Sequence, residues 1–245
     1  MTSQPKSLFL IGTSHIGKST CAHRIGGATG WPVISTDMLG RHPGRPWTGV
    51  PGAIMEYYLR LSNDTIHWFL RVHHENMRPV IREKIRTVRQ AGESFIFEGA
   101  ALRPEYVADW EIGDALVVCF QVEDRILRER IMTESRYSEQ DEQTKAAIEK
   151  FAERSLRENQ AFAEASQRQG ISLIDVTTPE NADRATEELV LRLAGSSGPL
   201  SPSSRHPRHR WIGSAPGVRN AWPTWAASTS INDDDIPIIG RVEFR

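Results

Sequence analysis

One nine-residue stretch constrains this chain more than any other: Gly12, Thr13, Ser14, His15, Ile16, Gly17, Lys18, Ser19 and Thr20, which fits G-x-x-x-x-G-K-[ST] without a gap. Each position has a chemical reason. A chain that wraps a polyphosphate with successive backbone N–H groups must bend sharply, and glycine bends with least strain. A helix starting at the end of such a loop directs its unpaired amides and positive dipole end at the anion. Lys18 then places a mobile cation on the β- and γ-phosphates, and the Ser19 hydroxyl can ligate Mg²⁺. The flanks supply the required context. Leu8 to Ile11 is an apolar run of the kind found in buried parallel strands, and Ser19 to Ala28 reads as a helix closed by nearby glycines. Gly12 to Thr20 is expected to cradle a nucleotide.

The pattern downstream alternates strand and helix. Trp31 to Thr36 reads as a second strand ending at Asp37, Ser94 to Phe97 as a third capped by Glu98 and Gly99, Asp114 to Val122 as a fourth and Ile171 to Val176 as a fifth. Between them, residues 63–90 repeat apolar side chains at helical spacing, with Pro79 marking a kink or break. A long helix is expected from Ser138, where Ser138 and Asp141 have capping-box spacing, to Gly170, and a last one from Glu180 to Ala194. Such alternation implies a three-layer α/β domain, a parallel sheet with helices on both faces, over residues 1–195. Residues 196–245 are rich in Ser, Pro, Gly, Arg and His without a sustained period, and read as a low-complexity, disordered tail.

Composition narrows the classes of function. Net charge is -1 over 245 residues, so nothing global calls for nucleic acid or membrane. No apolar run approaches the length of a signal peptide or a bilayer span, and the cytoplasm is the expected compartment. Cys21 and Cys119, the two cysteines, sit in core-like stretches and suggest neither a disulfide framework nor zinc. Charge is uneven along the chain. Through residue 90, twelve basic side chains face five acidic ones; from 91 to 194, twenty-two acidic face twelve basic. That asymmetry fits a positive pocket for an anionic ligand, or simply acidic solvated helices.

GTSHIGKST, "VISTD" at the end of the second strand, "FIFEG" at the end of the third and the arginine-rich "RILRERIMTESRYS" after the fourth together resemble the P-loop small-molecule kinases of the nucleoside-monophosphate-kinase-like group, which includes shikimate and gluconate kinases, 2-phosphoglycerate kinase-like proteins and zeta toxins. The resemblance covers residues 7 to about 195. It implies a five-stranded sheet in the order 2-3-1-4-5, an acceptor site at the carboxyl ends of the strands, a helical lid, and ATP with Mg²⁺ as cofactors. The implied activity is transfer of a γ-phosphoryl group to a hydroxyl of a small, anionic acceptor. A polynucleotide 5′-hydroxyl kinase, a non-catalytic nucleotide-binding module and a slow ATPase are the alternatives. No guanine-reading N-K-x-D stretch is present, and the acidic second half argues against a nucleic-acid groove. Oligomeric state is left open.

The candidate residues follow. Lys18 and Asp37 are catalytic candidates, since a carboxylate at a strand end beside the loop can take or orient a hydroxyl proton; capping of the next short helix is its simpler role. Glu98 ends an apolar strand and would hold the acceptor or a Mg²⁺ water, with a structural ion pair as the alternative. The related kinases more often place aspartate there. Arg41 and Arg45 lie in "GRHPGRPW", a loop suited to gripping an anion, with a solvated basic loop as the alternative. Among Arg125, Arg128, Arg130 and Arg136, which the resemblance puts in the lid, Arg130 and Arg136 are the candidates for neutralising the transferring phosphoryl; a solvated helix face paired with Glu129 and Glu134 is the alternative. His67, His73, His74 and Glu75 lack a metal-ligand spacing and read as structural. Trp31, Trp47, Trp68 and Trp110 read as core or pocket wall.

Overall fold

A computed structural model describes residues 5–195 apart from 43, 48 and 111; the tail expected over 196–245 lies outside the described residues. Five strands form one parallel sheet: β1 (Ser7–Ile11), β2 (Val33–Ser35), β3 (Phe95–Gly99), β4 (Leu116–Gln121) and β5 (Ser172–Asp175). Their order is β2-β3-β1-β4-β5, as the kinase resemblance implies. β1 is central, with Phe9 opposite Phe97 on one side and Val117 on the other. Every residue of β1 and of β3 is buried, which explains why both are continuous apolar runs rather than alternating ones.

Alternation reappears in where the side chains go. Leu8, Leu10, Ile96, Val118 and Phe120 join one core cluster, while Phe9, Ile11, Phe95, Phe97 and Cys119 join the other. On the first face lie α1 (Lys18–Thr29), contributing Ala22 and Ile25, and α7 (Pro179–Leu193), contributing Leu189 and Leu193. The second face is covered by α3 (Asn63–Gln90) through Met77, Ile81 and Ile85. α6 (Glu142–Arg168) belongs to both, giving Ile148 and Phe151 to the first cluster and Phe162 to the second. The remaining helices are α2 (Gly52–Arg60), α4 (Pro104–Ala108) and α5 (Asp124–Glu134).

Local chemistry differs from the sequence expectations in three places. α3 runs through Pro79 without a break, its start fixed by Ser62, whose side chain accepts from Thr65 N at 3.1 Å. α6 begins at Glu142 and not at Ser138. Asp141 is its cap, accepting from Thr144 N at 2.8 Å, and Tyr137–Glu139 is a separate 3₁₀ turn. Trp68 is 60% exposed, whereas Trp110 is buried and Trp31 and Trp47 pack against the core. Cys21 and Cys119 are buried and free.

Candidate functional site

The glycine loop joins β1 to α1 at the carboxyl end of the sheet. Gly12 has φ 146°, and a Cβ there would stand 3.2 Å from the Phe120 carbonyl, so the loop can pass close beneath β4 only as glycine. Gly17, at φ 102°, precedes α1 and offers no side-chain cap, leaving the first amides of the helix open toward the loop. That is the arrangement a polyphosphate requires. Ser19 and Thr20 are exposed in the first turn. Lys18 is 6% exposed and donates from Nζ to the Thr13 carbonyl at 2.7 Å, which folds it back over its own loop. Burial lowers its pKa, while the carboxylates of Glu98 and then Asp37 pull the other way. Those two carboxylates are therefore the anions nearest in effect to Lys18. Glu98 is 4% exposed on β3, opposite Leu10 of β1 and Ser35 of β2.

Asp37 lies in the 3₁₀ turn Thr36–Met38 directly after β2 and is exposed. Capping of that turn falls to Ser35, whose Oγ accepts from Asp37 N at 3.4 Å. The turn presses against β3 so closely that a Cβ on Gly99 would sit 1.8 Å from Thr36 Oγ1. Asp37 opens into a pocket shared with Ser14 of the glycine loop, Ala100, Ala101, Leu70, Met77, His42, His73, His74 and Arg154. This cavity brings a phosphate-loop residue and a free carboxylate into one space.

A second cavity lies on the other side of the loop, between Ile16, Gly17, Thr20 and Cys21 on one wall and Phe120, Val176, Ala182 and Thr186 on the other. Arg130 of α5 closes its edge. Its Nη1 donates to the Ile16 carbonyl at 3.3 Å, and its Nη2 to the carbonyls of Val176 at 2.8 Å and Thr177 at 3.1 Å. Arg130 thus ties the glycine loop to the end of β5. Arg136 is exposed beyond α5 at φ 49°. Arg125 meets Glu129 at 3.4 Å, and Arg128 bonds Glu149. Arg41 is exposed, and Arg45 is engaged by Glu134.

Sequence reasoning missed three parts of this site. Arg154 of α6 is 7% exposed; its Nη1 donates to Tyr58 Oη at 2.9 Å, its guanidinium lies 4.3 Å over the Phe151 ring, and its Nε has no partner. His73 and His74, read as structural, line the pocket with it. Behind them is a buried network: Arg103, fully buried, donates from Nη1 to Glu158 Oε2 at 2.6 Å, and the other Glu158 oxygen meets His67 Nε2 at 2.7 Å. Burial alone would raise the Glu158 pKa, but the His67 hydrogen bond and the Arg103 charge outweigh it and hold the carboxyl at about 2. A signal existed in the sequence. Glu158 falls seven residues after Phe151 and four before Phe162, in the middle of the apolar face of α6, where a lone charge needs a partner.

The cofactors fit what is present. The glycine cradle and the open α1 amides suit a triphosphate, and the exposed Ser19 hydroxyl with Asp37 and Glu98 supplies the hard oxygen donors that Mg²⁺ takes alongside phosphates and water. Among the described residues no cluster of three or more His, Cys, Asp or Glu is placed to hold a metal by itself. Nor is any described helix long and apolar enough to cross a membrane.

No family model matches this chain, and no curated protein matches it. Solved structures do. A gluconokinase from Sinorhizobium meliloti is 19% identical, the match covering 80% of this chain and 99% of that one at a TM-score of 0.43. A sugar kinase from Janibacter sp. is 18% identical over 79% and 99% at 0.45, and a shikimate kinase from Acinetobacter baumannii bound to shikimate is 14% identical over 80% and 97% at 0.45. These likenesses are remote.

Proposed function

We propose that the protein is an ATP- and Mg²⁺-dependent phosphotransferase that moves a γ-phosphoryl group to a hydroxyl of a small, anionic acceptor. One observation carries the reading: Ser14 of the phosphate loop, Asp37 and Arg154 line the same pocket, so an acceptor held there stands beside the donor. Asp37 is placed to orient the hydroxyl and take its proton as the new P–O bond forms. Lys18 follows the charge on the outer phosphates, and Mg²⁺ held by Ser19, with Glu98 or Asp37 through water, would offset the rest. Arg154 lines the pocket, with its Nε buried and unpaired, and supplies the cation for an anionic acceptor. Arg136, free and exposed next to α5, is the arginine able to swing onto the transferring group; Arg130 acts instead on the loop and the nucleotide cavity. Leu70, Met77, Ala100 and Ala101 wall the pocket, which suits a small acceptor better than a polymer end.

The test is a panel of hydroxy acids, polyols and nucleosides incubated with labelled ATP, with phosphorylated product read by mass gain. Lys18→Ala should abolish transfer while its circular dichroism spectrum stays unchanged. Failure of the magnesium-loaded protein to bind ATP or GTP in calorimetry would remove the reading altogether.

A further inference from the structure

We propose that His74 reads the acceptor through its Nε2–H, and that Arg103 and Glu158 behind it fix that nitrogen as the donor. The proposal rests on the phosphotransferase reading. His74 is 3% exposed and forms part of the pocket wall with Asp37 and Arg154. Arg103 Nη1 faces its Nδ1 at 3.5 Å. A guanidinium has only donors, so Nδ1 must present its lone pair, and the single ring proton resides on Nε2. Even as a long contact, a fixed cation facing Nδ1 excludes a proton there.

Arg103 cannot turn away. It is fully buried, bonded to Glu158 at 2.6 Å, and its guanidinium lies 4.8 Å over the Phe162 ring. His67 takes the second Glu158 oxygen at 2.7 Å, which holds the carboxylate in place from the other side. The groups that bear on His74 are Glu158, which favours a charged ring, and Arg103, His73 and Arg154, which oppose it. Burial is the largest influence, and with those cations it keeps the imidazole neutral, its pKa near 3. The pocket therefore presents a neutral N–H donor across the physiological range, next to a guanidinium and facing a carboxylate. Such a wall accepts hydroxyl and carboxylate oxygens. The group that His74 reads is thus an acceptor oxygen.

The experiment uses the full chain with ¹⁵N-labelled histidine, its His74 ring signals assigned by comparison with His74→Gln. Spectra from about pH 5.5 to about pH 8 should show Nε2 protonated and Nδ1 unprotonated throughout. A proton on Nδ1, or a ring that titrates in that interval, overturns the proposal. In kinetics His74→Phe should raise the acceptor KM about tenfold, the worth of one hydrogen bond, with the KM for ATP unmoved. His74→Gln, which keeps an N–H near the Nε2 position, should restore most of it. An unchanged acceptor KM in His74→Phe, or an equal rise in both KM values, also overturns it. Absence of transfer by the unmodified enzyme defeats the phosphotransferase reading and this inference together; intact transfer with a proton on Nδ1 defeats only this inference.

Discussion

Acidifying the protein from about pH 7.5 to about pH 5.5 should lower its folding stability by about 2.7 kcal/mol, through two histidines. His15 and His74 both have their pKa lowered to about 3, chiefly by burial. Arg45, Arg154 and Lys18 add to the effect at His15. In the unfolded chain each imidazole titrates near 6.5. Below that value the unfolded state binds protons that the folded state refuses, so stability is full above it and falls as pH drops. Over this interval one such histidine contributes about 1.4 kcal/mol, and the pair twice that. Glu158 does not confuse the result. Its pKa is lowered to about 2, so its contribution is present above the ordinary carboxylate range and is lost only in stronger acid.

The assay is urea unfolding followed by circular dichroism at both pH values, for the parent and for His74→Gln and His15→Asn. Asparagine is chosen at 15 because it tolerates the left-handed φ of 64° there. Each variant should lose about 1.4 kcal/mol of the pH effect, whatever its stability at the higher pH; His73, whose pKa burial also lowers, adds to the effect in the parent and in both variants. Equal parent stability at the two pH values, or a full effect in both variants, would refute the reasoning that these rings are held neutral by burial.

Three further outcomes are expected. Asp37→Asn should cut turnover on the order of 10²–10⁴-fold while the calorimetric affinity for ATP stays put; parallel losses would make Asp37 a binding residue. Arg154→Met should lower acceptor kcat/KM about 10- to 100-fold, the worth of a charged hydrogen bond, and Arg154→Lys should not rescue it because the planar fork is lost; a rescue by lysine would reduce its role to bulk charge. Gly99→Ala, whose Cβ would collide with Thr36 Oγ1 at 1.8 Å, should destabilise by about 1–3 kcal/mol in thermal unfolding, and an unchanged Tm would show that the turn carrying Asp37 is free to shift.

What could be read from the sequence divides along physical lines. β1 and β3 were legible because strands buried on both faces are unbroken apolar runs, and the loop between β1 and α1 because its glycines and lysine stand at the spacing of a phosphate-binding motif. The 2-3-1-4-5 order came from the resemblance; periodicity alone does not give it. α2 escaped notice, since nine residues with one fully buried side chain, Tyr58, carry little periodic signal. Ser138 and Asp141 competed for one helix start, and Asp141 took it because its side chain also receives the Thr144 hydroxyl at 3.1 Å. Arg154 and His74 were hidden for a different reason. Their roles depend on partners more than twenty residues away, Tyr58 and Arg103, and no spacing rule reaches that far.

Charged side chains around the site pair with one another, and the proposed phosphoryl transfer would use that framework for alignment. The reaction asks the protein to align two reactants and surround them with fixed dipoles. Glu134, the last residue of α5, shows how alignment is built. One of its oxygens takes Arg45, and the other lies 3.3 Å from Nε2 of His15. The His15 ring is 1% exposed, edge-on to Phe151 of α6 at 5.3 Å and tilted against Trp47 at 5.6 Å. The phosphate loop, the segment bearing Arg45 and Trp47, the end of α5 and the face of α6 therefore meet around a single neutral imidazole. Glycine at position 15 would relieve the left-handed backbone but leave a void among four elements. Histidine accepts a backbone conformation costing roughly 1 kcal/mol and fills that void with a ring, both of whose nitrogens are buried without a hydrogen-bond partner. Position 15 is thereby turned into the joint that holds the glycine loop, the Arg45 segment, the end of α5 and α6 in register.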